Sequence, residues 1–209
     1  MFGDGALTFH EFATREPHPL AVIHDAVLEF LRDRKDAVLY GAHAVNAYIK
    51  QPRMSQDVDI ASTRAKGLAD EVRQLLKKEF RIRVRVQSAS SGYGIAQVRK
   101  PKYRHLVDVR PVNMLPPVKR VKRVQVATPP ELIASKMIRM VDRMPRSRGF
   151  LDKADLCRPL LTFPELKNEQ GPVAERLRAA AADETVMAAW KELVAEEILP
   201  ENEDDKFNR

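Results

Sequence analysis

The stretch LYGAHAVNAYIKQPRMSQDVDI, residues 39–60, contains the features that decide the fold. It continues a β-prone run that begins at residue 37 and ends at Gly41. Residues 42–50 have the composition of a short helix. Residues 56–60 alternate polar and apolar side chains, which predicts a strand with one buried face. A strand, a glycine turn, a short helix and a second strand therefore follow one another closely.

Two aspartates of this stretch, Asp57 and Asp59, are the first candidates for chemistry. Because they are two residues apart on a predicted strand, their carboxylates point to the same face. Their repulsion costs on the order of a kcal/mol at an effective dielectric near 20, unless a proton or a cation compensates it. A hard divalent ion such as Mg²⁺ prefers carboxylate oxygens together with phosphate oxygens. A DxD pair alone is common by chance, so its surroundings have to support a metal site.

Residues around the pair supply that support. Asp108, on a β-like segment, is a third acid, and three carboxylates can hold the two ions that assist phosphoryl transfer. Gly41 would let backbone N–H groups approach a phosphate closely, although a plain turn explains this glycine equally well. Arg53 and Ser55 add a cation and a hydroxyl just before the pair. The five histidines and the single cysteine show no metal-ligand spacing, and we expect them to be structural.

The rest of the chain predicts an α/β (α+β) fold, in which a mixed sheet is flanked by helices and followed by a helical region. Apolar periodicity predicts helices over 19–34 and 65–79 and strands over 80–88, 95–99, 105–112 and 120–127, with Gly92 and Gly94 in the first turn between these strands. Further helices are predicted over 128–143, 150–162 and 172–198. We therefore expect an α/β domain over residues 1–127, a helical domain over 128–200 and an acidic, disordered tail over 201–209.

Composition excludes several classes of protein. Of the 209 residues, 44% are hydrophobic and 31% are charged, which excludes a wholly disordered chain. One cysteine excludes a disulfide framework and a cysteine-rich zinc module. There is no signal-peptide pattern, and no apolar run approaches the ~18 residues of a membrane span. We expect a cytoplasmic protein that does not interact with a membrane.

The net charge of +7 comes from one segment, residues 81–123, which contains 12 basic residues and a single acid, Asp108. Arginines alternate with apolar residues at its start, as on a strand with one exposed face. A solvated sheet face explains this pattern about as well as a surface for a polyanion does. The candidates for nucleic-acid binding are Arg81, Arg83, Arg85, Arg99, Lys100, Lys102 and Arg104.

The order of these elements resembles a known superfamily. Residues 39–60, with Asp108 as a third carboxylate, are similar to the signature of nucleotidyltransferases of the DNA polymerase beta-like superfamily. Residues 128–136, TPPELIASK, and residues 153–156, KADL, resemble the C-terminal part of the AbiEii-like nucleotidyltransferase toxins. The resemblance spans about residues 20–160. It departs from the family at the turn, where an alanine follows Gly41 in place of glycine or serine.

The resemblance implies an enzyme that transfers a nucleoside monophosphate from an NTP to an acceptor hydroxyl, with pyrophosphate leaving. Three carboxylates would bind Mg²⁺ or Mn²⁺, two ions in all, and Asp108 would also help to deprotonate the acceptor. Lys136 would neutralise charge on the triphosphate, although an exposed helix lysine is an equally good explanation of it. The implied metal ligands are Asp57, Asp59 and Asp108. The implied NTP contacts are Gly41, Ala42, Arg53 and Ser55, and the further active-site residues are Lys136 and Asp155.

The basic segment around Asp108 suits a polyanionic acceptor, tRNA or another RNA, better than a cationic small molecule. We therefore expect an RNA-directed nucleotidyltransferase that is the toxin of a toxin–antitoxin pair, with a cognate antitoxin as its partner. One alternative is nucleotidylation of a protein or a small molecule, which shares the metal site and differs in the acceptor. The other is a non-catalytic nucleic-acid-binding module that retains the fold.

Overall fold

The computed structural model describes residues 18–50, 52, 54–98 and 103–200. Four of the residues predicted to bind nucleotide or RNA lie outside the described residues, as does the predicted acidic tail over 201–209. These four are Arg53, Arg99, Lys100 and Lys102. The described part of the chain contains seven helices and a mixed sheet of seven strands, which confirms the predicted α/β (α+β) class.

The seven strands form one sheet in the order β3-β4-β5-β2-β1-β7-β6. Strand β2 runs parallel to β5, and β1 runs parallel to β7, whereas the other neighbours are antiparallel. The strands are β1 (Ala37–Tyr40), β2 (Val58–Ser62), β3 (Val84–Ala89), β4 (Gly92–Gln97), β5 (Arg104–Pro111), β6 (Val118–Val121) and β7 (Val124–Ala127).

Three helices accompany the sheet and four follow it. The first three are α1 (Leu20–Phe30), α2 (Gly41–Asn46) and α3 (Ala65–Phe80). The later four are α4 (Pro129–Arg143), α5 (Ser147–Thr162), α6 (Pro172–Ala179) and α7 (Glu184–Ala195), with a 3₁₀ turn at Pro164–Leu166. No helix in the described part of the chain has the length and hydropathy needed to cross a bilayer.

One face of the sheet is buried beneath α1 and α3. Apolar residues of α3 recur at helical spacing, with Leu68, Val72 and Leu76 fully buried, so one stripe of the helix packs on the strands. The strands contribute alternate side chains to the same core, including Ile60 and Val107. Each such side chain stabilises the fold by about 1.5–3 kcal/mol. This core fixes which side chains of the central strands point to the other face.

Packing divides the chain into two units. Among the described residues, the first unit contains the sheet and lies within 18–47 and 52–127, and the second contains Tyr48–Lys50 and residues 128–200. The helical unit has its own core around Met137 and Trp190, both fully buried. Tyr48 packs edge-on against the ring of Phe163, with ring centroids 6.1 Å apart, so this short segment belongs with the helices despite its position in the sequence.

Two predicted elements are each divided in the structure. The strand predicted over 120–127 is a hairpin, β6–β7, which turns at Lys122 and Arg123. Both residues have positive φ, 46° and 73°, as a two-residue hairpin turn requires. The helix predicted over 172–198 is two helices, α6 and α7, and the side chain of Asp183 caps the second by accepting from the Val186 N–H.

The turn between β3 and β4 also differs from the prediction. Gly92 and Gly94 lie inside β4, and the chain turns before them. Gly92 has φ of +141°, and a Cβ there would lie 2.4 Å from the carbonyl oxygen of Val109 on β5. This glycine therefore allows a close approach of two strands rather than a turn.

Candidate active site

Two predicted metal ligands meet on adjacent parallel strands. Asp59 on β2 and Asp108 on β5 are paired in register, so their side chains point to the same face of the sheet. Their neighbours Val58, Ile60 and Val107 are fully buried on the opposite face. The strands are about 4.8 Å apart. The sheet thus brings together two carboxylates that are distant in the sequence.

Asp57 joins them from the segment before β2. The strand begins at Val58, so Asp57 lies in a bend and not on the predicted strand. Ser55 Oγ donates a hydrogen bond to the backbone carbonyl of Asp57, at 2.9 Å, which supports this bend. Ligand atoms of Asp57, Asp108 and His105 lie within 4.8 Å of one another. Asp59 is not part of this group of ligand atoms, but it lies beside Asp108 on the next strand and its charge acts on His105, so the three acids are neighbours although only two of them are on strands.

Gly41 is required by the carboxylate of Asp59. Its φ is +64°, and a Cβ added to it would lie 1.7 Å from Asp59 Oδ2. Any other residue would therefore displace the carboxylate. The sequence predicts for Gly41 either the approach of a phosphate or a plain turn, and in the structure this glycine makes room for Asp59. Ala42 follows it in α2 and is half-buried.

His105 is a residue of this site that the sequence did not indicate, and the expectation that it is merely structural is wrong. Its Nε2 lies 3.0 Å from Asp108 Oδ2. Regular alternation places residues three apart on opposite faces, but β5 contains a bulge: Val107 pairs with Ile95, and His105 pairs with Ala96. The extra residue, Leu106, returns His105 to the face of Asp108. No pattern in the sequence marks this bulge, so the histidine had no recognisable signal.

The three carboxylates act together on the His105 imidazole. The hydrogen bond with Asp108 raises its pKa above the ordinary 6.5, against the effect of burial, and the charges of Asp108, Asp57 and Asp59 raise it further. Gly94, opposite Asp108 on β4, leaves room for the ring, since a Cβ there would lie 3.0 Å from His105 Cε1. The electrostatic potential of this site therefore favours positive charge.

A buried histidine pair supports the helix that follows Gly41. His43 Nε2 and His24 Nδ1 are 3.0 Å apart, and both side chains are buried. Burial lowers the pKa of His43 to about 4, so the ring is neutral at pH 7. These two histidines are structural, as the sequence analysis expected of all five.

Lys136 and Asp155 meet within the helical unit. Lys136 Nζ, on α4, donates to Asp155 Oδ2 at 3.0 Å and to Asp152 Oδ1 at 2.9 Å, both on α5. The lysine side chain is only 16% exposed, so the alternative of an exposed helix lysine is wrong.

Asp152, which the sequence analysis did not single out, is the more buried of the two acids, and Arg143 also binds it, at 2.9 Å. Burial acts to raise the pKa of Asp152, but Lys136 and Arg143 outweigh it and hold that pKa below the ordinary value. Asp152 and Asp155 are three residues apart and so share a helix face, a spacing that could have indicated the pair.

The basic residues of segment 81–123 that the structure describes are spread over several parts of the sheet unit. Arg83 and Arg85 lie at the β3 edge of the sheet and are exposed, whereas Lys119 and Arg120 lie on β6 at the opposite edge. Arg81 ends helix α3 with φ of +54°. Arg104, on β5, donates to the backbone carbonyl of His18 at 3.1 Å.

Comparison with known proteins identifies the family. The family described as "Nucleotidyl transferase AbiEii toxin, Type IV TA system" matches residues 25–208. The chain belongs to the AbiEii nucleotidyltransferase toxin family. It is therefore a nucleotidyl-transferring enzyme of the toxin–antitoxin type, for which the family implies an NTP as substrate and an antitoxin as partner.

Solved structures show the same fold for this AbiEii-family chain. The megavirus polyadenylate synthase is 16% identical, with a TM-score of 0.55 over 69% of this chain and 32% of that one. A putative nucleotidyltransferase from H. pylori is 14% identical, with a TM-score of 0.50 over 90% of this chain and 93% of that one. The chain spans about a third of the length of the polyadenylate synthase. No curated protein matches it.

Proposed function

We propose that this AbiEii-family enzyme transfers a nucleoside monophosphate from an NTP to a hydroxyl of RNA, with tRNA as the first candidate, and that it depends on divalent metal ions. The observation that carries the proposal is the convergence of Asp57, Asp59 and Asp108 on one side of the sheet. The Arg83 and Arg85 side chains, exposed at the β3 edge, favour a polyanionic acceptor.

The donor set suits Mg²⁺ or Mn²⁺. Two carboxylates and one imidazole have ligand atoms within 4.8 Å of one another, and Asp59 adds a third carboxylate on the strand next to Asp108. Carboxylate oxygens are the protein ligands that hard divalent ions prefer. Asp57, Asp59 and Asp108 would hold two ions, and the His105 nitrogen is a ligand type that Mn²⁺ accepts more readily than Mg²⁺ does. Bound ions would supply neutralisation of the triphosphate and of the charge that develops on it.

The chain's own residues would orient the reacting groups. Asp108 would accept the proton of the acceptor hydroxyl. His105, whose Nε2 is hydrogen-bonded to Oδ2 of Asp108, would fix the orientation of that carboxylate. Gly41 and Ala42 would present backbone N–H groups to the NTP. Ser55 would contact phosphate only after leaving the Asp57 carbonyl to which it donates.

Arg53 remains a sequence-based candidate for a second phosphate contact. Lys136 remains the residue to which the family resemblance assigns neutralisation of charge on the triphosphate. Asp152 and Asp155 hold its ammonium group on two sides, which restricts where that charge can point. Asp155 would thus act through Lys136, as a positioning residue.

Transfer of label tests the proposed function. The protein is incubated with each labelled NTP, Mg²⁺ or Mn²⁺, and total tRNA, and label is measured separately in RNA, protein and small molecules. We expect label in RNA from at least one NTP, and a loss on the order of 10²–10³-fold in Asp59→Asn and Asp108→Asn. Asp142→Asn, which changes an exposed carboxylate on α4, is the matched control. Label in protein or in a small molecule would identify one of the alternative acceptors, and transfer to none of them would contradict the proposal.

A further inference from the structure

The sheet face that carries the carboxylates continues across β4 to the edge strand β3. Asp59 is in register with Asp108, Asp108 with Gly94, and Gly94 with Gln87. Residues paired in register on adjacent strands project to the same side. The four positions therefore form one row, which begins at the candidate active site and ends at an exposed glutamine at the edge of the sheet.

The neighbouring row brings arginine to the same face. His105 is in register with Ala96, and Ala96 with Arg85. The carbonyl of Arg83 accepts the Val98 N–H, so the pairing extends to Arg83, and alternation places it on the side of Arg85. Both arginines are exposed, and neither forms an ion pair with any residue that the structure describes.

Strand β4 separates these arginines from the carboxylates, and we call its strip on this face the lane. Its positions in the lane are Gly92, Gly94 and Ala96. The floor of the lane also includes the His105 ring, which lies against Gly94, while Ala96 is only 2% exposed. Asp108 and Gln87 are separated by this one strand, a distance of about 10 Å. A nucleic-acid duplex is wider than this distance, since its major groove alone measures about 12 Å in B-DNA. A lane about 10 Å wide therefore suits a single strand.

The cations at the opposite edge do not border this lane. Lys119 is in register with Val126, which pairs with Leu39, and Leu39 pairs with the buried Ile60, so Lys119 belongs to the opposite face. Arg120 lies three strands from β2, beyond β1 and β7. Sheet order thus separates the two edge groups, and of these two only the β3 group lies on the side of Asp108. Arg110, two residues after Asp108 on β5, is on the same face as Asp108, with its guanidinium 4.8 Å from the centre of the Tyr40 ring.

We propose that a single-stranded segment of the RNA acceptor lies across β4, with its phosphates at Arg83 and Arg85 and its acceptor hydroxyl at Asp108. This inference rests on the proposed function, because it supplies the route by which that acceptor reaches the site. Single-stranded RNA commonly binds in a positively charged groove that follows the backbone. The two arginines would then determine the affinity for RNA, whereas the carboxylates would carry out the chemical step.

Two double variants with the same loss of charge test the route. Arg83→Ala/Arg85→Ala removes the cations beside the lane, and Lys119→Ala/Arg120→Ala removes two from the opposite edge. Binding of a fluorescent single-stranded oligoribonucleotide is measured over a range of salt concentrations, and transfer kinetics are measured with RNA and NTP varied in turn. For the first variant we expect KM for RNA to rise about tenfold, KM for NTP to stay unchanged and the salt slope to fall by about 1.4. The control should change KM for RNA by less than about twofold.

The outcomes separate this route from the proposed function. Equal losses of RNA affinity in both variants, or none in either, would overturn the route even if the wild type labels RNA. If the wild type labels only protein, the proposed acceptor is wrong. Oligoribonucleotide binding that depends on Arg83 and Arg85 would still support the lane as an RNA-binding surface in that case.

Discussion

Two groups of charged side chains, one in each unit, differ in how their charges are arranged. In the sheet unit, Asp57, Asp59 and Asp108 gather around one imidazole, and the side chains of Asp108 and His105 are nearly half exposed. In the helical unit, Lys136 binds Asp152 and Asp155, and Arg143 also binds Asp152, in a largely buried cluster. An excess of one charge facing solvent is suited to binding a cation or a ligand, whereas matched charges position one another.

The largest expected effect tests whether the position of Asp59 controls activity. Gly41→Ala would place a Cβ where Asp59 Oδ2 now lies, and it would also place alanine at φ of +64°. We expect transfer to fall by about 10²-fold, because the carboxylate is displaced, and stability to fall by about 1–2 kcal/mol.

Gly67→Ala is the matched control for that variant. Gly67 lies within α3, and its added Cβ would come no closer than 3.4 Å to the end of the Arg64 side chain. Alanine there should stabilise the helix by about 0.5–1 kcal/mol and leave transfer unchanged. If Gly41→Ala keeps wild-type transfer, the close packing of Asp59 on Gly41 does not matter to the reaction.

In the helical cluster, we expect loss of a partner to affect stability. Asp152→Asn removes the buried negative charge that pairs with Lys136 and Arg143. Because the two cations lose this partner, the substitution should lower the free energy of unfolding by about 3 kcal/mol. Chemical denaturation measures this difference, with the exposed Asp142→Asn as control. Equal stability of the two variants would show that the buried pairs contribute nothing net.

The two units should also lose stability in different ranges of pH. The pKa of His43 is lowered to about 4 in the folded protein, so the unfolded chain binds the proton first as pH falls below 6.5. The sheet unit should therefore lose up to about 3 kcal/mol between pH 6.5 and 4. The pKa of Asp152 is lowered from its ordinary 3.8 in the folded protein. Its contribution to the free energy of unfolding is therefore complete above about pH 3.8 and is lost as the pH falls through its pKa in the folded state.

Thermal unfolding of the full chain at pH values from 7 to 3 measures both losses, with His43→Gln as a variant of the sheet unit. That substitution should flatten the dependence between pH 6.5 and 4. A wild-type stability that stays constant over this range would contradict the assignment of a neutral, buried His43.

The smallest effect concerns the neighbour of Asp108. His105→Gln keeps a hydrogen-bond donor near the carboxylate, whereas His105→Ala removes it. We expect transfer to fall about tenfold or more in the alanine variant, with partial recovery in the glutamine variant and no change in thermal stability. The ratio of Mn²⁺-supported to Mg²⁺-supported activity should fall in both if the imidazole is a ligand. Equal activity of wild type and His105→Ala would exclude a positioning role.

Much of the site could be predicted because its signals are local. Alternation in residues 56–60 predicts the side of the sheet on which Asp59 lies, and Asp108 is on a second segment that the sequence predicts to be a strand. The helix carrying Lys136 began where Thr128 and the following prolines indicated.

The remaining features depend on long-range pairing. A bulge at Leu106 places His105 beside Asp108, and local alternation alone excludes that arrangement. Sheet order places β3 and β6 at opposite edges, although Arg85 and Lys119 belong to one basic segment of the sequence. Neither the partner of a strand nor its place in the sheet is encoded by the composition of that strand.

The central claim is that Asp57, Asp59 and Asp108 hold the metal ions of the reaction. The most direct measurement is anomalous diffraction from crystals soaked with Mn²⁺ and a non-hydrolysable NTP, compared with crystals of Asp59→Asn. We predict Mn²⁺ peaks coordinated by these three carboxylates and by triphosphate oxygens, weakened or lost in the variant. Ordered nucleotide with Mn²⁺ bound away from all three carboxylates would contradict the account.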